Sequence, residues 1–242
     1  MGIVDKKNLK VAVSDAETAD RSVPLSEIAF RTIRQKILRG EIAPGEKLRI
    51  EVLQREHSLS SSPLREALNR LVAEGLVTSD DHRGFRAANM SASDLNDITS
   101  YRLVIEPAAV AQSVVNGTDE WEGHVVAAFH RLERVDAKVA QNQNEMNDEW
   151  TQRHKDFHMA LVSAASSSRI VAACSSLFDH AERYRRFSLM NRTKPRNTAA
   201  EHRQLMEAAV GRQAELAAAL LKEHIQLTAQ NVLEIQLPKA GR

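Results

Sequence analysis

From Ser93 to about residue 235 the apolar residues recur at every third or fourth position, and strand-like runs are confined to a short stretch near residues 76–88. That spacing puts apolar side chains on one stripe of a helix, so most of this chain is restricted to helices packed on one another. With 242 residues and 43% hydrophobic content, it can bury one large core or two modest ones. No run of about 18 apolar residues is present to cross a membrane. The start, "MGIVDKKNLKVAVSDAETAD", lacks the apolar core of a secretion signal, and Lys6 stands where a myristoylation signal needs Ser or Thr. A cytoplasmic chain without a membrane partner is therefore expected. The single cysteine, Cys174, excludes an internal disulfide and a cysteine-built zinc site, so any metal must take nitrogen and oxygen ligands. A net charge of +1 neither requires nor excludes DNA, which responds to a local basic face.

Three divisions follow from the pattern. Residues 1–22 are polar and aperiodic and are expected to form a disordered tail. Residues 23–90 hold three short helical patterns and a hairpin. The first helix carries Ile28, Ile33, Ile37 and Leu38 on its stripe and stops at Gly40; the second runs from about Ile50 to His57. The third is expected to start with Ser62 as N-cap and Pro63 at its first position, burying Leu64, Ala67, Leu68, Leu71 and Val72 before Gly75. Arg65 and Asn69, four residues apart, share a face that this stripe leaves free. "LVTS", "DDHRG" and "FRAA" then read as a hairpin with a basic tip. Small three-helix units also occur as plain packing modules, but this order of helices and hairpin is that of a winged helix-turn-helix, whose third helix enters the major groove.

The run "IRQKILRGEIAPGEKLRIEVLQREHSLSSSPLREALNRLVAEGLV" resembles the DNA-binding domain of the GntR family of bacterial transcriptional regulators, over about residues 24–88. The resemblance implies a homodimer on a palindromic double-stranded operator. It assigns base reading to Arg65, whose guanidinium can form two parallel hydrogen bonds to guanine. Asn69 lies beside it. Arg49, Ser60, Ser62 and Arg70 are expected on phosphates, and His82, Arg83 and Gly84 at the wing tip. Many relatives carry Arg where this chain has Ser61, so one base-reading fork is missing here.

Residues 91–236 read as an all-α antiparallel bundle, which makes the fold class mainly α. Its first helix, from about Ser93, has Leu95, Ile98, Ile105 and Ala109 on one face together with Arg102, which either pairs with Glu106 or meets a ligand; Pro107 is expected to kink or restart it. Helices follow at about 118–140, from an Asn147 cap to about Ala165, at 168–190, at 198–210, and at 213–235 with Leu216, Leu220, His224 and Leu227 on one side. Four of the nine histidines, His154, His158, His202 and His224, fall on inward stripes of three different helices. A single inward histidine is ordinarily a hydrogen-bonded core residue. Two at i and i+4 also have chelating spacing, and imidazoles from facing helices can complete a metal site within a bundle. Periodicity leaves both readings open.

The pieces "RLVIEPAAVAQ", "HKDFHMALVSAA", "EHRQLMEAAV" and "ALLKEHIQ" resemble the FCD effector domain of the FadR subgroup of the same family. That resemblance implies a divalent metal held by an Asp, a His four residues later and His residues on the last two helices, with a small carboxylate beside it. The histidines correspond to His158, His202 and His224, while the Asp position is His154. With neutral imidazoles as donors, zinc or nickel is expected over magnesium or calcium. Arg102, Glu106 and Tyr184 are the expected effector contacts. The function implied is a ligand-responsive transcriptional repressor acting through a small organic acid. In a second reading the metal itself is the signal. A metal-dependent hydrolase is disfavoured because the nearby carboxylates Asp156, Glu201 and Glu223 fall off the inward stripes and leave no general base; the chain is not expected to be an enzyme.

Overall fold

The computed structural model describes residues 23–80, 84–141, 148–191, 196–235 and 237. The chain divides into two compact units, one ending at Ala88 and the other beginning at Asn89.

In the first unit α1 spans Leu25–Arg39 and ends on Gly40, whose φ of 74° and backbone N–H contacts to the Lys36 and Ile37 carbonyls close the helix as only a residue without Cβ does cheaply. Ala29, Phe30, Ile33 and Ile37 face the core. Ile28, expected on that stripe, is 37% exposed, and Phe30 takes the inward place. Strand β1 is Lys47–Leu48, α2 is Ile50–His57, and α3 is Ser61–Ala73. The expected cap of α3 is corrected by two residues: Ser60 is the N-cap and Pro63 the third helical residue. Proline is tolerated there because N–H groups of the first turn have no helical partner to lose. Leu64, Ala67, Leu68 and Leu71 are fully buried and join the α1 residues in one apolar core.

Strands β2 (Val77–Asp80) and β3 (Gly84–Ala87) form the expected hairpin, with Val77 opposite Ala87 and Asp80 opposite Gly84. β1 adds antiparallel on the other side of β3, giving the order β1-β3-β2. That third strand was not expected, since two residues are too few to show an alternation. Gly84 has a φ of 74°, so its place in the wing is accounted for by backbone geometry. The expected wing-tip residues His82 and Arg83 lie outside the described residues.

The second unit comprises α4 (Ala92–Asn116), α5 (Asp119–Gln141), α6 (Asp148–Val162), α7 (Ser168–Asn191), α8 (Thr198–Val210) and α9 (Ala214–Leu233). Ser91 caps α4 by accepting from the Asp94 N–H at 3.1 Å. The helix runs through Pro107 without restarting, with the Arg102–Glu106 pair buried before it and Ala109, Val110 and Val114 buried after it. The expected Asn147 cap of α6 lies outside the described residues. On α9 the inward face is Ala217, Leu221, His224, Ile225, Ala229 and Val232, one position round from the expected stripe, and Leu216 is exposed. An Ala/Leu-rich helix offers apolar residues on every side, so its sequence marks the buried face poorly. Among the described residues no helix is long and apolar enough to cross a membrane.

Candidate functional site

The bundle brings His154, His158, His202 and His224 together. All four are buried, and one ligand nitrogen from each lies within 4.8 Å of the others. α6 supplies the first two from successive turns of its inward face, with ring centroids 4.6 Å apart. His202 comes from the first half of α8, whose N-cap Asn197 accepts from the Ala200 N–H. His224 lies mid-way along α9, its ring 5.0 Å from His202 and 5.2 Å from His158. Trp150, one turn before His154, stacks on that ring at 4.7 Å and donates Nε1–H to Asp136.

The hydrogen bonding bears on the two readings left open by the sequence. Both nitrogens of His154, both of His202, and Nε2 of His158 are buried with no hydrogen-bond partner. At about 1–3 kcal/mol for each unsatisfied buried group, these five would cost roughly 5–15 kcal/mol, comparable with the entire stability of a domain. Core histidines are ordinarily hydrogen-bonded, and these five nitrogens are without a protein partner. Burial, and after it the crowding of the other cluster imidazoles, which disfavours adding a proton to any one of them, holds His154, His158 and His202 well below the ordinary imidazole range, so each keeps a lone pair at neutral pH. A divalent transition ion satisfies such donors at once. Nitrogen donors at about 2.0–2.1 Å from zinc stand roughly 3.4 Å apart in a tetrahedron, so the observed spacing needs only a small inward adjustment. The cluster can hold a metal ion.

His224 is oriented differently. Its Nδ1 lies 2.8 Å from Glu201 Oε2, while Arg196 donates Nε–H to the same carboxylate at 2.7 Å and Nη2–H to the His224 carbonyl at 3.1 Å. Burial raises the Glu201 carboxyl, but hydrogen bonds from His224 and Arg196 outweigh it and hold the group down at about 2. Glu201 was expected to lie off the inward stripe; it is half-buried, and its carboxylate reaches the back of a cluster histidine. The lone Asn-Thr-Ala-Ala-Glu-His run carries no periodic signal for that reach. Cys174 is buried on α7 with its thiol pushed up to about 12 by burial, and takes no part in the cluster.

A small pocket of about 40 Å³ adjoins the cluster, lined by His154, His202 and His224 together with Trp150, Arg185, Arg196, Thr198, Thr228 and Asn231. The expected effector contacts Arg102, Glu106 and Tyr184 do not line this cavity. Arg102 and Glu106 form a buried two-point pair at 2.6 and 3.0 Å. Tyr184 is buried with Met90, Leu95 and Val232, accepts from the Ser91 N–H at 3.1 Å and donates to Asp94 Oδ2.

In the first unit Ser60, Ser61, Ser62, Arg65 and Asn69 are exposed at and after the start of α3, and Arg49 is exposed at the N-cap of α2. The Ser60 hydroxyl makes no cap hydrogen bond. Arg70 is occupied within the fold: it pairs with Glu27 at 2.8 Å and stacks over Phe30 at 3.9 Å.

The family profile described as bacterial regulatory proteins of the gntR family matches residues 25–86, and that of the FCD domain matches residues 97–227. The chain is 39% identical over 84% of its length to the HTH-type transcriptional regulator BphR of Paraburkholderia xenovorans (strain LB400), covering 82% of it. It is 36% identical over 81% of its length to the HTH-type transcriptional repressor GlaR of Escherichia coli (strain K12), covering 90% of that protein. Among solved structures, E. coli McbR/YncC superposes with a TM-score of 0.72 at 19% identity, over 88% of this chain and 98% of that one. A transcriptional regulator GntR from Rhodococcus sp. RHA1 gives 0.69 at 21%, over 87% and 98%. The curated relatives are transcriptional regulators rather than enzymes.

Proposed function

Because the chain belongs to the GntR family of bacterial regulators, and to the group carrying an FCD domain, we propose that it is a cytoplasmic homodimeric repressor. Its bundle holds a zinc or nickel ion on His154, His158, His202 and His224, and a small carboxylate binds at that ion as effector. The observation that carries this reading is the set of five buried imidazole nitrogens without partners, on His154, His158 and His202, with the first and last of these rings and that of His224 lining a cavity. Four neutral donors leave the ion's double charge uncancelled, which draws an anion into the cavity. Glu201 is the outer partner that keeps Nδ1 of His224 engaged, leaving Nε2 as its ligand atom.

On the DNA side, Arg65 and Asn69 read base edges from α3. Ser60, Ser62 and Arg49 hold phosphates at helix starts, where unpaired N–H groups favour anions. Arg70 would reach a phosphate only by leaving Glu27, so its work lies chiefly within the fold. Two copies are needed because one α3 covers a single half-site, and a palindrome mirrors a two-fold dimer. The effector changes DNA affinity only by binding one arrangement of the dimer better than another.

The test is a DNA-shift titration with a palindromic operator fragment under three conditions: metal-free, metal-loaded, and metal-loaded with carboxylate. A change confined to the third condition supports the effector reading. A tenfold change with metal alone supports the second reading, in which four histidines close a tetrahedral shell and the ion is the signal.

A further inference from the structure

Three arginines lie near enough to the histidines to act on an anion there, and they are not equivalent. Arg102 is bound two-point to Glu106 and is not part of the cavity wall. Arg196 lines the cavity, but each of its nitrogens is engaged: Nε and Nη2 by Glu201, Nη2 also by the His224 carbonyl, and Nη1 by Thr228. Arg185 lines the cavity and is only 6% exposed. Its Nε donates to Glu182 at 3.0 Å and its Nη2 to the Phe178 carbonyl at 2.9 Å, while Nη1 has no acceptor among the described residues. Arg102 also leaves Nη1 without an acceptor, but away from the wall. Arg185 Nη1 is not among the fully enclosed atoms without a partner, so it is a donor with no protein acceptor, on a side chain that lines the cavity, and an anion there can meet it.

Charge points the same way. Glu182, 1% exposed, is shared by Arg185 and Arg186, so one buried carboxylate faces two guanidiniums. Arg186 has a second partner in Asp148, which is exposed. The Arg185 guanidinium lies 3.9 Å over the Phe178 ring, and that ring stands 5.2 and 5.4 Å from His154 and His158. Its position beside the cluster is therefore held by an aromatic face, a carboxylate and a carbonyl.

We propose that Arg185, in the run "ERYRRF", is the specificity-determining residue of the effector site: one oxygen of a carboxylate faces the metal, and Arg185 Nη1 donates to the other. The inference rests on the metal-centred reading above. It assigns the carboxylate contact to a residue on α7 in place of Arg102, and it predicts rejection of neutral amide analogues, which lose the charge-assisted bond.

The experiment is calorimetric titration of the zinc-loaded, untagged full chain with acetate and succinate, and with acetamide as neutral control. Wild type binds a carboxylate and not the amide. Arg185→Lys keeps its zinc but loses about 10–100-fold in carboxylate affinity, the worth of one charge-assisted hydrogen bond. The paired substitution Arg102→Met with Glu106→Met leaves that affinity within about threefold. Carboxylate binding that survives Arg185→Lys overturns this assignment alone. Absence of carboxylate binding in zinc-loaded wild type overturns the effector reading and the assignment together. If Arg185→Lys does not fold, the crystal structure of zinc-loaded wild type with succinate decides. A carboxylate oxygen within hydrogen-bond distance of Nη1 supports the assignment, and one bound to Arg102 overturns it.

Discussion

Nδ1 of His224 lies 2.8 Å from Oε2 of Glu201, so a residue of α8 off that helix's inward stripe fixes the orientation of a ring on α9 that faces into the cluster. Outer partners of this kind orient a ligand ring and raise its basicity, and losing one typically costs 10–100-fold in metal affinity, on the order of a lost hydrogen bond. Glu201→Gln is therefore expected to weaken zinc binding by roughly 10–100-fold in a competitive chelator titration. An unchanged affinity would show that Glu201 serves Arg196 alone.

His158→Ala combined with His202→Ala removes donors from two different helices. Metal content and melting temperature are expected to fall together, because an ion that binds only the folded chain stabilises it by mass action. Plasma emission and differential scanning measurements on the double variant check this. Unchanged metal content in that variant would leave the histidines as core residues.

The metal-free protein should be sensitive to mild acid. His154, His158 and His202 have folded-state values far below their unfolded ones, so their contribution is fully present above the unfolded imidazole value of about 6.5. Below it the unfolded chain takes up more protons than the folded one, and stability is lost as pH falls towards the depressed values. Glu201, held at about 2, adds a loss only in the far more acidic window between the unfolded carboxylate range and that value. Thermal melts of chelator-treated protein at pH 7.5, 6.5 and 5.5 should show a steadily falling midpoint. A flat profile contradicts burial of neutral rings.

Arg65→Ala is expected to abolish specific operator binding while leaving the bundle's metal content intact, since Arg65 is exposed on α3 and packs in neither core. A bidentate contact is worth about 1–3 kcal/mol against the wrong base. Comparing shifts on operator and scrambled fragments isolates that loss. Full retention of specificity would contradict the placement of α3 in the groove.

Much of this was legible in the chain because periodicity reports burial. Leu64, Ala67, Leu68 and Leu71 sit as expected on α3, and the four inward histidines were visible as stripe members of α6, α8 and α9. What periodicity does not report is the reach of a side chain across elements. Glu201 lies off its helix's stripe, yet its carboxylate meets His224; Arg185 hides in a basic run whose solvated appearance masks a residue only 6% exposed. Short elements are equally silent. β1 has two residues and no alternation, and the cap of α3 falls within three consecutive serines that offer no means of choosing among them.

The most direct measurement is the metal content of the chain purified without a histidine tag. About one zinc or nickel ion per chain, lost together when His154, His158, His202 and His224 are replaced, is the predicted result. A folded, DNA-binding chain that carries no ion and takes none up on addition of zinc or nickel would contradict a metal-centred effector site.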